Sequence, residues 1–208
     1  MHRYFKPIVF LACLLPLTRL AWLGFHAGLG ANPIEFITHS TGDWTLTFLL
    51  VTLSITPLRK LTRQYSLISF RRMLGLFAFF YGSLHLMTYV WLDKFFDVHE
   101  MLHDIAKRRF ITAGMTAFAL MIPLALTSTK WSIRRLGKRW QMLHRLIYFS
   151  ASAGVIHYIW LVKADLRKPL EYASVLGMLL LYRLVAWVVT RRSTPKAIAR
   201  SERQVAVQ

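Results

Sequence analysis

Acidic residues are scarce in this chain. Nine Asp and Glu stand against 27 Lys and Arg over 208 residues, a formal charge of +18. Such an excess suits nucleic acid only where the basic residues share a soluble face. Here they punctuate long apolar runs, which argues against nucleic acid as a partner. Cysteine is nearly absent as well: Cys13 alone cannot form an intrachain disulfide. No Cys-x-x-Cys-His stretch occurs, so the usual covalent c-type haem attachment is ruled out. A Gly-x-Gly-x-x-Gly nucleotide fingerprint is also missing.

What is abundant is apolar sequence, 55% of the residues. Apolar runs fall at about 8–25, 43–58, 73–92, 110–127, 141–162 and 171–190. Most approach the roughly 20 residues that cross a bilayer as helix, and the run at 43–58 is short and Thr-rich. The polar connections alternate in charge. Arg3 and Lys6, Arg59 to Arg72, Lys130 to Arg139 and the segment from Arg191 are basic, whereas Glu35, Asp43, Asp93 to Asp104 and Asp165 fall on the intervening side. The pattern predicts an all-α membrane protein: a six-transmembrane-helix bundle with both termini cytoplasmic. Residues 1–190 form the membrane domain, with an uncleaved first helix, and 191–208 form a mobile basic cytoplasmic tail that touches anionic lipid. No internal repeat stands out.

Of eight histidines, His2, His99 and His103 read as solvated residues. His26 and His39 flank the outward loop HAGLGANPIEFITHSTGDW, either as interfacial side chains or as part of an outer-face partner or quinone region. His85, His144 and His157 lie inside apolar runs, where ionisable side chains are costly and usually functional. With no carboxylate beside them in those runs, three histidines in two spans point to metal ligation. A closed zinc site lacks its ligand cluster. Haem needs only one or two axial imidazoles and an apolar slot, for which Phe77, Phe79, Phe80, Tyr81, Tyr148 and Phe149 are candidate walls. Gly75, Gly82, Gly154 and the run 150–153 would let a porphyrin approach the backbone.

Depth follows from counting. Spans three and five run in the same direction, and His157 lies thirteen residues beyond His144, about 20 Å along a helix. His85 lies thirteen beyond Arg72, so His85 and His157 share a level toward the outer face. A haem between spans three and five is therefore expected there. His144 falls at the inner level with Arg71 and Arg72. It binds a second haem or serves another cofactor, and the arginines either contact propionates or a flavin phosphate or are positive-inside anchors. At about 100° per residue, thirteen steps leave His144 and His157 on different helix faces, which requires a bend or different neighbours.

The stretches HAGLGANP, TGDWTLTFLLVTLSITPLRK, RRMLGLFAFFYGSLHL, LALTSTKW and LGKRWQMLHRLIYFSASAGVIHYIW together resemble the ferric reductase-like transmembrane family, which includes the NADPH oxidases. The resemblance is nearest to its bacterial haem-binding subunits that serve methionine-sulfoxide reductases. It implies b-type haem, one or two groups, on His85, His144 and His157, and a bound FMN. It also implies residence in the bacterial inner membrane and electron delivery to a periplasmic molybdopterin partner that reduces methionine sulfoxide. Relatives carry a second histidine on span three, replaced here at the Arg71/Arg72 level. Because no dehydrogenase domain is expected after the last span, the donor would be quinol or a cytoplasmic flavin reductase. The chain itself would be the electron-transfer subunit rather than the catalytic reductase. Rival readings are a stand-alone ferric or cupric reductase, using the acidic loop with His99 and His103, and a haem-free transporter or assembly factor.

Overall fold

The computed structural model describes residues 2–162 and 164–205, with side chains from 5–162 and 164–191. Helices α1 (His2–Phe25), α2 (Pro33–Thr62), α3 (Ile68–Met87), α4 (Val98–Lys107) and α5 (Arg109–Leu126) are followed by the short α6 (Lys130–Leu136) and α7 (Lys138–Leu143). The chain ends with α8 (Leu146–Leu161) and α9 (Arg167–Val205). No strand occurs among the described residues. Each predicted apolar run falls on a helix. Four segments, Phe5–Phe25, Tyr65–Asp93, Arg109–Leu126 and Arg167–Arg191, are long and apolar enough to cross a membrane. The other two runs differ in extent from the prediction. α8 has only 16 residues, and α2 is longer and more polar than the run at 43–58. The backbone of the basic segment from Arg191 continues α9 to Val205. Its side chains from 192 onward, and the expected lipid contact with them, lie outside the described residues.

α2 starts ten residues before its apolar run because the sequence caps it there. Asn32 accepts from the Glu35 N–H at 3.3 Å and its amide donates to the Glu35 carboxylate at 2.9 Å. Pro33 occupies the first turn, where its missing N–H costs nothing. The threonines that weaken the apolar signal satisfy themselves: Thr41, Thr45 and Thr52 donate to the carbonyls of Ile37, Thr41 and Phe48 at 2.8, 2.8 and 2.7 Å. Their hydroxyls therefore cost little inside an apolar bundle.

α2 packs along α3 and α5 along α8, and contacts of α3 with α5 and of α2 with α8 close a four-helix core. Small residues let the helices approach: Ala78, Ala151 and Ser150 are fully buried, and the Ser150 hydroxyl donates to the Ala117 carbonyl at 2.8 Å. α1 lies against α2 and α3, and α9 against α2 and α8. The Tyr81 hydroxyl fastens α1 to this core, accepting from the Leu17 N–H at 3.2 Å and donating to the Cys13 carbonyl at 2.9 Å. Those two groups would ordinarily close one helical turn; Pro16, beside them, already disturbs the ladder.

After α3 the backbone widens into a π-helical turn, Thr88–Asp93, tied to α2 by the Thr38–Thr88 hydroxyl contact at 3.1 Å. Beyond it an ionic clamp sets the loop to α4. Buried Asp104 takes Lys94 at 2.9 Å, Arg108 at 3.1 Å and the Tyr89 hydroxyl at 3.3 Å, and Lys94 also pairs with Glu100. The Lys94 hydrogen bond holds the Asp104 carboxyl below the usual carboxylate range, and Glu100 with Asp104 pushes the Lys94 ammonium above the usual lysine range.

Two outcomes follow. Tyr81→Phe leaves a Leu17 N–H or Cys13 carbonyl unmet, so the thermal unfolding midpoint in detergent falls, by about 1–2 kcal/mol of stability. A depressed carboxyl stabilises fully above its unfolded pKa, and the benefit is lost as pH falls through the folded value. Hydrogen exchange across α4, corrected for intrinsic rates, thus stays slow at neutral pH and accelerates as pH drops below about 4. Asp104→Asn abolishes the protection at pH 7, by about 1–2 kcal/mol.

Candidate functional site

The structure brings His85 of α3 and His157 of α8 together, ring centres 6.0 Å apart and planes at 79°. Each ring is held by the same device. His85 Nδ1 lies 2.9 Å from the Thr38 carbonyl and His157 Nδ1 lies 2.6 Å from the Phe110 carbonyl. A carbonyl only accepts, so both Nδ1 atoms carry the proton and both Nε2 atoms present a lone pair. Glycine makes room for each ring. A Cβ at Gly42 would come within 3.1 Å of His85, and one at Gly114 within 2.7 Å of His157. One turn below the histidines, Gly82 and Gly154 admit opposite helices: a Cβ there would meet Met121 and Phe118, or Leu46.

These positions form a repeat that the sequence hides. Thr38 and Phe110, Gly42 and Gly114, Leu46 and Phe118, Gly82 and Gly154, and His85 and His157 are all 72 residues apart. The pairs α2–α3 and α5–α8 are two copies of one histidine-bearing unit, facing each other across a cavity. The expectation of no internal repeat is corrected by this register. The same offset carries His144 back onto Arg72, an exposed arginine. The level of His144 therefore has no second imidazole.

The cavity measures about 490 Å³ and is predominantly apolar, within the span of cofactor sites. Besides the two histidines and the four glycines its walls include Leu46, Phe118, Met121 and Ser150. Its rim carries Glu35, His39, Asp43, Tyr89, Asp93 and Arg108. The aromatic walls expected from the sequence lie elsewhere. Phe77 and Tyr81 stack on Phe48 in the core, with ring centres at 5.8 and 5.3 Å, and Phe79 stacks on Phe118 at 5.4 Å. None of Phe77, Phe79, Phe80, Tyr81, Tyr148 and Phe149 lines the cavity; Phe77 and Tyr81 are core residues and Phe149 is exposed. The runs that carry His85 and His157 hold no carboxylate up to Asp93, and the carboxylate beside the cavity comes from α2. Asp43 borders the cavity because α2 begins early, and it is held by Lys168 at 3.4 Å. Asp43, Tyr89 and Arg108 were not legible as site residues, since each sits at the edge of an apolar run.

The residues fit an iron porphyrin. Metal–imidazole bonds are about 2.0 Å, and with each ring centre about 1.1 Å behind its nitrogen, two imidazoles on one metal stand about 6 Å apart. The observed 6.0 Å meets that requirement.

His144 is separate. Its ring stacks on Trp140 with centres 3.8 Å apart, and Nδ1 lies 3.1 Å from the Trp140 carbonyl. Nε2 is buried and makes no hydrogen bond of good geometry, with the Leu124 carbonyl in loose reach. Arg71 lies within electrostatic reach of the ring, whereas Arg72 is exposed. The backbone tightens here: Arg145 N–H bonds Met142 and Tyr148 N–H bonds Arg145, each three residues back. The helix is interrupted here, between α7 and α8, so His144 and His157 do not lie on one ideal helix. His39 reaches the cavity rim, 3.9 Å from Glu35. His26 does not; it stacks on Trp22 in the open. His99 and His103 are exposed, and among the described residues no group of three or more His, Cys, Asp or Glu could hold a metal ion.

Residues 40–155 match the family described as the ferric reductase like transmembrane component. Three relatives are each named the protein-methionine-sulfoxide reductase heme-binding subunit MsrQ. That of Bordetella parapertussis is 55% identical over 88% of this chain and 89% of its own length. That of Herminiimonas arsenicoxydans is 54% identical over 93% and 90%, and that of Rhodospirillum rubrum 54% over 89% and 89%. No solved structure gives a significant match. The chain belongs to the ferric reductase-like transmembrane family, in its MsrQ group.

Proposed function

We propose that the chain holds b-type haem between His85 and His157 and serves as the membrane electron carrier of a methionine-sulfoxide reductase system. One observation carries this reading: two imidazoles at metal-bridging distance, each with Nδ1 committed to a backbone carbonyl. A haem held by His85 and His157 would supply a reversible one-electron centre. The chain's own residues do the rest. Thr38 and Phe110 fix the imidazole tautomers, Gly42 and Gly114 set the ring positions, and Leu46, Phe118 and Met121 exclude water from the slot. Tyr89 and Arg108, ordered through Asp104, form the polar mouth.

In this reading six helices cross the bacterial inner membrane with both termini cytoplasmic, as the alternating charge of the connections supports. α2 crosses on its self-satisfied threonines, and α7 with α8 makes up the length that α8 lacks alone. The partner is a periplasmic molybdopterin subunit, MsrP, which repairs methionine sulfoxide in oxidised periplasmic proteins. The donor is the quinone pool or a cytoplasmic flavin reductase. His144, with a buried nitrogen lacking a good partner and Arg71 nearby, is the place for a second haem or FMN.

The test is a reduced-minus-oxidised visible spectrum of the purified protein. It shows a b-type signature that loses the contribution of the haem between these residues in His85→Ala and in His157→Ala; a spectrum unchanged in both variants defeats the ligand assignment. The second shell gives a graded outcome. Gly114→Ala drives a methyl group to 2.7 Å from His157, so its haem affinity falls about tenfold. Gly42→Ala, at 3.1 Å from His85, loses less. Haem-to-protein ratios after dilution rank the two. For the donor, membranes supplied with quinol reduce the partner; reduction only with NADPH and a soluble reductase moves the assignment to the flavin route.

A further inference from the structure

The few carboxylates among the described side chains are gathered at one end. Glu35 and Asp43 lie in the first half of α2, Asp93 to Asp104 around α4, and Asp165 and Glu171 at the start of α9. The ninth, Glu202, lies outside the described side chains. At the other end of the bundle, cations from three helices converge without a counter-charge. Arg183 of α9 donates to the Tyr148 hydroxyl and, at 2.9 Å, to the Leu53 carbonyl, and its guanidinium covers the Tyr148 ring at 4.8 Å. Arg71 lies within electrostatic reach of both Arg183 and Arg59. Among the described residues none of Arg59, Lys60, Arg71 and Arg183 pairs with a carboxylate.

Three donors here are also buried without a partner: Arg59 Nε, Arg183 Nε and the Thr56 hydroxyl. Half-buried cations that repel one another, with donors left over, favour an anion that completes them. The space exists. An open cavity of about 290 Å³ is lined by Thr56, Lys60, Tyr148 and Arg183, and by Leu180 and Ala186 of α9. Next to it α9 exposes Leu181, Leu184 and Val185, an apolar face suited to hydrocarbon.

From this juxtaposition we infer that the cavity between the basic ends of α2, α8 and α9 binds the phosphate headgroup of an acidic phospholipid. The guanidinium fork of Arg183 and the ammonium of Lys60 match phosphate oxygens, and Thr56 adds a neutral donor. The acyl chains run along the exposed face of α9. A basic pocket between membrane helices is the usual form of such a site. Bound there, the lipid fastens α9, the least buried of the four long apolar segments, to α2 and α8.

The experiment is native mass spectrometry of the detergent-purified full chain with dioleoyl phosphatidylglycerol or dioleoyl phosphatidylcholine. Phosphatidylglycerol is retained in preference to phosphatidylcholine. Lys60→Gln, at an exposed side chain that the fold does not need, weakens the preference about fivefold. Arg183→Gln weakens it further, and Lys130→Gln, away from the cavity, leaves it unchanged. Circular dichroism of each variant establishes that the helices are intact. Equal retention of the two lipids by the wild type, or an unaltered preference in Lys60→Gln, overturns the inference. Inorganic phosphate and flavin mononucleotide are added as competitors. Displacement of the lipid by either at equal concentration assigns the cavity to a free phosphate group and overturns the lipid; failure of both to displace it supports the lipid.

Discussion

The site rests on one interaction made twice, an imidazole N–H given to a main-chain carbonyl within a helix. A helical carbonyl already accepts from the N–H four residues on, and its second lone pair is open to another donor. For Thr38 and Phe110 the residue four on is Gly42 and Gly114 respectively. A side chain at that position leans back toward the helix N-terminus, over the very carbonyl the imidazole must reach. Glycine is therefore a condition of the hydrogen bond, and the short Cβ distances at Gly42 and Gly114 express the same requirement. Once Nδ1 is committed, the other ring nitrogen has one available role, a free lone pair, and the opposed helices bring the two rings to 6.0 Å.

This dependence accounts for much of the surrounding architecture. The helices must approach closely enough for each ring to find a carbonyl on the neighbouring helix, and Gly82, Gly154, Ala78, Ser150 and Ala151 provide that approach. The π-turn that follows α3 places Tyr89 and Asp93 at the mouth, where a regular helix would rotate them differently. Asp104 then ties Tyr89 and Arg108 to the loop. The rim is thus ordered by a buried ion pair while the interior beneath it stays apolar.

Legibility in the sequence followed the kind of signal each feature carries. Apolar runs report helices, so every run has its helix. Counting from basic starts reports depth, so the shared level of His85 and His157 is legible in the sequence. Caps are local, and Asn32-Pro33-Ile34-Glu35 carries the start of α2 in its own residues, whereas the apolar run at 43–58 marks only the later part of the helix. The repeat escaped because its working parts are backbone carbonyls, which leave Thr38 and Phe110 free to differ, and glycines, which are common in membrane helices for other reasons. Aromatic residues misled for the converse reason: Phe77 and Tyr81 occur at core spacing, and core spacing is all they express.

Charge divides the bundle along its length, and the division bears on how it works. The paired histidines occupy the end where every described carboxylate lies, and the cavity there is rimmed by groups of both signs. The opposite end holds His144 and the arginines, with no acid among the described side chains to balance them. Counter-charge for such an end can come from outside the chain, and lipid headgroups at a membrane surface supply it. The scarcity of acid is therefore a positional statement. Carboxylates are present where the chain closes its own ionic contacts, and absent where its cations must remain available to something else.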